Sequence, residues 1–313
     1  MAVTVMPVTV AGQAPAAAAS APPRTPWGDP DLQGIWTRIH FNVGGVPFER
    51  PRELGTRSEL TDTELQARMK AEQDDVASRP TGTSFDDEIS PYVTPSRQTS
   101  VIVDPPDGRL PSLTPEAQKR IAALAEAARQ RRAKGEIGPE TFSINERCIT
   151  RGFPNVMNPA PPTSSGMQIV QAPGYVAIRI ELFNEYRIIP LDNRPTFGPK
   201  LRQWWGQSRG HWEGNTLVVE VTNFNDRPKI PPFQASGEQM RIVERFTRTR
   251  FGELDYQYTV EDPATFTRPW TAKASWGLID RQLEIMEYAC HAGNYDLESM
   301  IKIAQAEAGR QGK

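Results

Sequence analysis

The chain has only two cysteines and three histidines in 313 residues. The histidines, His40, His211 and His291, show no i, i+4 pair and no Cys-x-x-Cys nearby, so the spacing that holds zinc is missing and neither metal nor cofactor is expected. Also missing are a G-x-S-x-G elbow, an H-E-x-x-H helix, a P-loop and a G-x-G-x-x-G turn after a strand. Their absence argues against the common hydrolase, zincin and nucleotide-binding classes. No apolar run reaches the ~20 residues needed to cross a bilayer, so no membrane span is expected. Charge of one sign is lacking too. With 36 basic against 38 acidic residues the formal net charge is -2, and no whole-molecule field draws the chain to nucleic acid or anionic lipid. The expected partner is a small neutral or weakly charged molecule.

What is present reads as a globular core. A hydrophobic fraction of 38% with 24% charged residues is neither disordered nor membrane-spanning, and the length suits one large or two ordinary domains. Ala2 to Val10 is apolar, and the small residues from Ala16 close on Ala19-Ser20-Ala21, the form a signal peptidase cuts. Residues 1–26 are therefore expected to be an export signal, with a disordered Ala/Pro tail as the alternative, and the protein to be periplasmic or secreted. In an oxidising compartment two cysteines allow one intramolecular bridge, Cys148 to Cys290. Closing a loop of roughly 140 residues is worth about 4–5 kcal/mol on chain-entropy grounds. The alternative is two separate buried thiols.

Residues 27–147 are expected to form an extended N-terminal region with a short strand at 32–37 and two helices. Thr61-Asp62-Thr63-Glu64 is a capping box opening a helix to about Glu72, and Thr114-Pro115 opens another that stops at Gly135. From 148 to 313 the texture changes to short alternating segments broken by Pro, Gly and Asn. Strands are predicted at 167–172, 175–183, 185–191, 207–212, 215–222, 240–249, 253–261, 270–276 and 283–290, followed by a helix at 297–308. So many consecutive strands favour closure. The fold class expected is mainly β: an antiparallel up-and-down, lipocalin-like barrel or strongly curled sheet, with N-terminal helical segments and a short C-terminal helix.

Period-two alternation marks the residues that break its sorting. Glu244 shares a face with Met240, Ile242 and Phe246, and Glu287 with Leu283, Ile285 and Ala289. A carboxylate on an apolar face must be paired, hydrogen-bonded or protonated, so each is a candidate acid or base, the alternative being an ion pair with an interior arginine. Tyr175, Arg179 and Glu181 share the polar side of their strand and line a pocket if that side faces a lumen. His291 follows Cys290 and is bracketed by Tyr288, Asn294 and Tyr295, a concentration of hydrogen-bonding groups around an imidazole suited to proton transfer. Trp204, Trp205, Trp212 and Trp270 are candidates for a stacking wall, or for plain core.

The stretches Thr25-Pro26-Trp27-Gly28-Asp29-Pro30-Asp31-Leu32-Gln33-Gly34-Ile35-Trp36, Arg147-Cys148-Ile149, Arg187-Ile188-Ile189-Pro190-Leu191-Asp192, Arg209-Gly210-His211-Trp212-Glu213-Gly214, Thr265-Phe266-Thr267-Arg268-Pro269-Trp270-Thr271 and Tyr288-Ala289-Cys290-His291 resemble a large family of exported bacterial proteins with no established activity. The likeness runs from residue 25 over nearly the whole chain. It implies export and a single fold type, and no reaction. The chain departs from the family's pattern at Asn184, where members carry histidine, and at His211, where they carry arginine.

The leading expectation is an exported, cofactor-independent enzyme of lyase, hydratase or isomerase type acting on a small aromatic or carbohydrate-derived molecule. Glu244 and Glu287 are its acid and base, Arg179 holds an anionic oxygen, and His291 with Tyr295 polarises or relays. Glu181, Tyr175, Trp204, Trp205 and Asn294 line the substrate site. The alternatives are a periplasmic lipocalin-like binder of a small apolar or aromatic ligand, and a structural envelope protein with a filled barrel.

Overall fold

The computed structural model describes residues 22–38, 46–78, 96–150, 166–192, 194–225, 229–230, 233–234, 239–250, 252–278, 285, 287–292 and 295–311. In chain order the elements are β1 (Gly34–Arg38), α1 (Asp62–Ser78), β2 (Ile102–Asp104), α2 (Pro115–Ala133), β3 (Met167–Ala172), β4 (Tyr175–Ile180), β5 (Glu185–Pro190), β6 (Gln207–Glu213), β7 (Thr216–Thr222), β8 (Lys229–Ile230), β9 (Phe233–Gln234), β10 (Arg241–Arg250), β11 (Glu253–Glu261), β12 (Trp270–Leu278) and α3 (Tyr295–Gln311). Among the described residues no helix is long and apolar enough to cross a membrane.

Ten strands form one antiparallel sheet in the order β5-β4-β3-β1-β12-β11-β10-β7-β6, with β2 added beside β12. The sheet curls into a nearly closed barrel. Its two ends, β5 and β6, meet through side chains: Arg187 on β5 reaches Ser208 on β6 at 3.5 Å. At the same seam Gly210 on β6 leaves no room for a Cβ, which would lie 2.9 Å from Ile189 and 2.8 Å from Leu191. The missing side chain is what lets the two ends approach.

Alternation fills the interior. Val176 and Ile178 of β4, Leu217, Val219 and Val221 of β7, Ile242 and Phe246 of β10, Tyr256, Tyr258 and Val260 of β11, and Trp270 and Trp276 of β12 are all buried in one core. Phe246 stacks on Tyr256 with centroids 4.6 Å apart. The N-terminal lead-in belongs to this core. Leu32 is wholly buried, its amide donates to Gln171 Oε1 at 2.7 Å, and Trp36 Nε1 returns a bond to the Leu32 carbonyl.

Both helix starts follow the capping logic of the sequence. The Glu64 amide donates to Thr61 Oγ1 at 3.3 Å while the Thr61 amide donates to Glu64 Oε2 at 2.8 Å. The Ala117 amide donates to Thr114 Oγ1 at 3.1 Å, and Gly135 ends the run at φ 70.

The expectation of a last barrel strand at 283–290 is corrected. Residues 285 and 287–290 form no strand, and 283, 284 and 286 lie outside the described residues. The place beside β12 is taken by β1, which pairs with it and with β3 and so joins two meanders, β3-β4-β5 and β6-β7-β10-β11-β12. The strand predicted at 175–183 also ends early, at Ile180, because the chain turns sharply over Leu182–Asn184.

Candidate functional site

Two places gather the chemistry that the sequence singled out. The first is the barrel interior. Glu244 is 0% exposed and its carboxylate is fully engaged: Arg187 Nη1 reaches Oε2 at 2.6 Å, Nη2 reaches Oε1 at 3.0 Å, and the Tyr256 hydroxyl donates to Oε1 at 2.7 Å. Burial works against the Arg187 charge, yet the adjacent Glu244 carboxylate outweighs it and holds the guanidinium above its ordinary pKa. Burial, with Glu244 adding to it, pushes the Tyr256 phenol well up, and burial likewise raises Tyr258. Three hydrogen bonds to one carboxylate leave it poorly placed to take a substrate proton. This is the ion-pair alternative for Glu244. Its partner, Arg187, was not among the expected site residues, although it shares the inward phase of β5 with Glu185 and Ile189.

The second place lies outside the barrel, where the β4–β5 turn meets the disulfide. Cys148 and Cys290 are bonded, with Cα atoms 5.7 Å apart. Around them is a cavity of about 330 Å³ lined by Cys148, Phe183, Asn184 and residues 287–292. Three of the four non-glycine residues with left-handed backbone among the described residues line it: Cys148 at φ 54, Phe183 at φ 62 and Asn184 at φ 50. Asparagine tolerates this region; cysteine and phenylalanine adopt it at a cost of about 1–3 kcal/mol each.

Each has a local reason. Ser143 and Glu146 cap a single helical turn reciprocally. The turn closes with the Cys148 amide on the Asn145 carbonyl and the Ile149 amide on that of Ile144. That is the Schellman pattern, in which the left-handed position is usually glycine. Here it must carry a sulfur. Phe183 and Asn184 reverse the chain between β4 and β5, and the reversal sends the Phe183 ring against Tyr288, with centroids 5.2 Å apart. Asn184 is held from both sides: its Oδ1 accepts from Arg179 Nη2 at 2.9 Å, and its Nδ2 donates to the Tyr288 carbonyl at 3.1 Å.

The remaining expected residues divide. Glu287 and His291 line the cavity with exposed side chains, so the structure brings these two together while Glu244 belongs to the interior. Glu287 stands on no strand and shares no apolar face, because 283–290 is not a strand. Arg179 touches the site through Asn184. Glu181 does not share the Arg179 side. Once β4 ends at Ile180 the alternation lapses, and Glu181 is buried, accepting from the Gly166 amide at 3.3 Å. Tyr175 is occupied by Arg194, whose Nη2 donates to its hydroxyl at 2.6 Å. Tyr295 opens α3 at 75% exposure and is not among the cavity residues. Asn294 lies outside the described residues, as does His40. Trp205 donates to Thr150 Oγ1 at 3.1 Å, Trp204 is half-buried, and Trp270 is enclosed by Phe48, Tyr258 and Phe266. Trp270 therefore offers no stacking face to a ligand.

No family model, curated protein or solved structure matches the chain.

Proposed function

We propose that the protein binds a small aromatic organic molecule in the cavity beside Cys148–Cys290, as a carrier whose site lies on the outside of its barrel and not in the lumen as in a lipocalin. The observation that carries this reading is the convergence of strained backbone on one hollow. The helix stop, the disulfide and the β4–β5 reversal that hold Cys148 and Phe183 left-handed all open onto the same hollow, and such strain collects where a ligand is clamped. A volume of about 330 Å³ falls in the range of small-molecule clefts. The tilted Phe183–Tyr288 pair supplies an aromatic wall, and Asn184, Glu287 and His291 supply polar groups that fix orientation. A periplasmic or secreted setting belongs to this reading, because a structural disulfide persists in oxidising compartments.

Native mass spectrometry of protein purified from its host tests the proposal. A retained small-molecule mass that disappears in Ala289→Trp, which fills the cavity, supports it. The same mass retained by that variant refutes it.

One observation favours a second reading, metal-free acid/base catalysis. Glu287 and His291 line the same cavity, and a carboxylate and an imidazole facing one bound molecule can serve as its base and acid. On this reading Glu287→Gln and His291→Ala each abolish turnover of the bound molecule in a folded protein, whereas turnover that survives both discards it.

A further inference from the structure

The fourth left-handed non-glycine residue among those described, Asn223 at φ 57, serves a different surface. Its Nδ2 donates to the Phe197 carbonyl at 2.8 Å, and its own carbonyl accepts the Gln203 amide at 3.0 Å. It thereby pins the segment between β5 and β6, residues 194–206, at two points. The buried Gln207 side chain takes the Phe197 amide at 2.8 Å, and the Arg209 guanidinium grips the carbonyls of Arg194 at 3.0 Å and Pro195 at 2.8 Å. The Leu201 amide closes a turn on the Gly198 carbonyl at 3.0 Å.

This mounting holds two apolar side chains out of the fold. Phe197 and Leu201 flank the turn at 58% and 59% exposure. A loop held by so many bonds could have buried them, and full burial of such a side chain shifts an equilibrium by more than about tenfold. Along the loop's own sequence the charge is of one sign, with Asp192 at its base beside Arg194 and near Arg209. From Arg194 to Trp212 the sequence has four Arg or Lys residues and no acidic one, in a chain whose net charge is -2. Asp192, paired with Arg194, is the nearest acid before the loop. The near-neutral total conceals a local basic patch.

We propose that this loop docks the protein on an anionic phospholipid surface, with Phe197 and Leu201 entering the acyl boundary and Lys200 and Arg202 lying among the headgroups. Apolar tips ringed by basic side chains suit that interface, where both components of the patch are satisfied at once. Nucleic acid would satisfy the charges and leave Leu201 bare. Because the loop is already ordered, little conformational freedom is lost on docking. The proposal stands independently of the disulfide-side cavity.

Co-sedimentation of the full chain with extruded vesicles decides the matter, comparing equal parts phosphatidylcholine and phosphatidylglycerol with phosphatidylcholine alone. Binding is expected to the mixed vesicles and to weaken at high ionic strength. Lys200→Gln with Arg202→Gln lowers the partition coefficient about thirtyfold, at about fivefold per basic residue. Phe197→Ala with Leu201→Ala lowers it more than about tenfold. All four side chains are exposed, so the variants fold, and circular dichroism verifies it. Equal binding to the neutral vesicles, no binding to either, or binding indifferent to both variants overturns the proposal. So does a dimer in light scattering that the Phe197→Ala, Leu201→Ala variant abolishes, which would give the tips to a second copy of the chain.

Discussion

Replacing Glu244 by glutamine keeps the shape of the side chain and removes its charge, leaving the Arg187 guanidinium inside the barrel opposite a neutral amide. Arg187 is only 10% exposed, so water cannot make up the loss. Breaking one side of a buried pair destabilises by about 3–5 kcal/mol. For a chain of this size each kcal/mol moves the melting temperature by about 2 °C, so Glu244→Gln should melt about 6–10 °C below the parent. Replacing the whole cluster behaves differently. Glu244→Leu with Arg187→Met and Tyr256→Phe removes the three hydrogen-bonded groups together, Glu185 keeping its hydrogen bond from Thr150 but losing the nearby guanidinium, and the triple variant should be more stable than Glu244→Gln. Calorimetry on the two variants is the assay. A Glu244→Gln protein melting within about 1 °C of the parent, or a triple variant weaker than the single one, would refute the structural role assigned to this pair.

Other consequences follow from the same contacts. Tyr256 and Tyr258 are held protonated by burial, with folded-state pKa values above the ordinary 10.0. Their stabilisation is complete below about pH 10 and falls as pH rises beyond it, by about 1.4 kcal/mol per pH unit for each tyrosine. In an alkaline absorbance titration these two should ionise only as the protein unfolds; early, smooth ionisation of every tyrosine contradicts this. Glu64 is half-buried, and the hydrogen bond from Arg57, helped by those from Thr61, lowers its pKa to about 2. Its support for the start of α1 is present above the ordinary value of 4.5 and lost as pH falls through about 2, so amide exchange in the first turn should quicken only in that window. Gly210→Val should drive a side chain into Ile189 and Leu191, spread the β5–β6 seam and destabilise by about 1–3 kcal/mol; an unchanged denaturation midpoint would mean the seam is looser than described. Removing the disulfide as Cys148→Ser with Cys290→Ser should reduce stability by about 4–5 kcal/mol through the 142-residue separation it spans, and a midpoint indifferent to the change contradicts that.

The sheet was legible because its strands alternate cleanly. Met167–Ala172 and Glu253–Glu261 are where period two puts them, and Glu244 lies on the inward face that its apolar neighbours indicate. The same parity, applied to β5, places Arg187 inward with Ile189, and a search for the partner of Glu244 along inward phases would have found it. The errors arose where local pattern meets chain reversal. Phe183 continues the apolar run of β4 and reads as strand, but the turn that begins at Glu181 ends the alternation and throws Phe183 onto the cavity wall. Residues 283–290 alternate as a strand does, yet a strand needs a free edge, and β1, remote in sequence, already occupies the one beside β12. Burial of the Trp270 ring was equally a tertiary fact: nothing in its flanks distinguishes a core indole from a ligand platform. The cysteine pairing, by contrast, followed from elimination, since two half-cystines have one partner each.

On the proposed function, ligand chemistry belongs to the strained cavity beside the disulfide and not to the barrel's interior pair. Titrating phenol into isotope-labelled protein and following backbone amide shifts tests it most directly. Saturable shifts are expected at Phe183, Asn184, Tyr288 and His291 with Glu244 and Tyr256 silent. Shifts centred on Glu244 and Tyr256, or none at the cavity residues at saturating phenol, would contradict it.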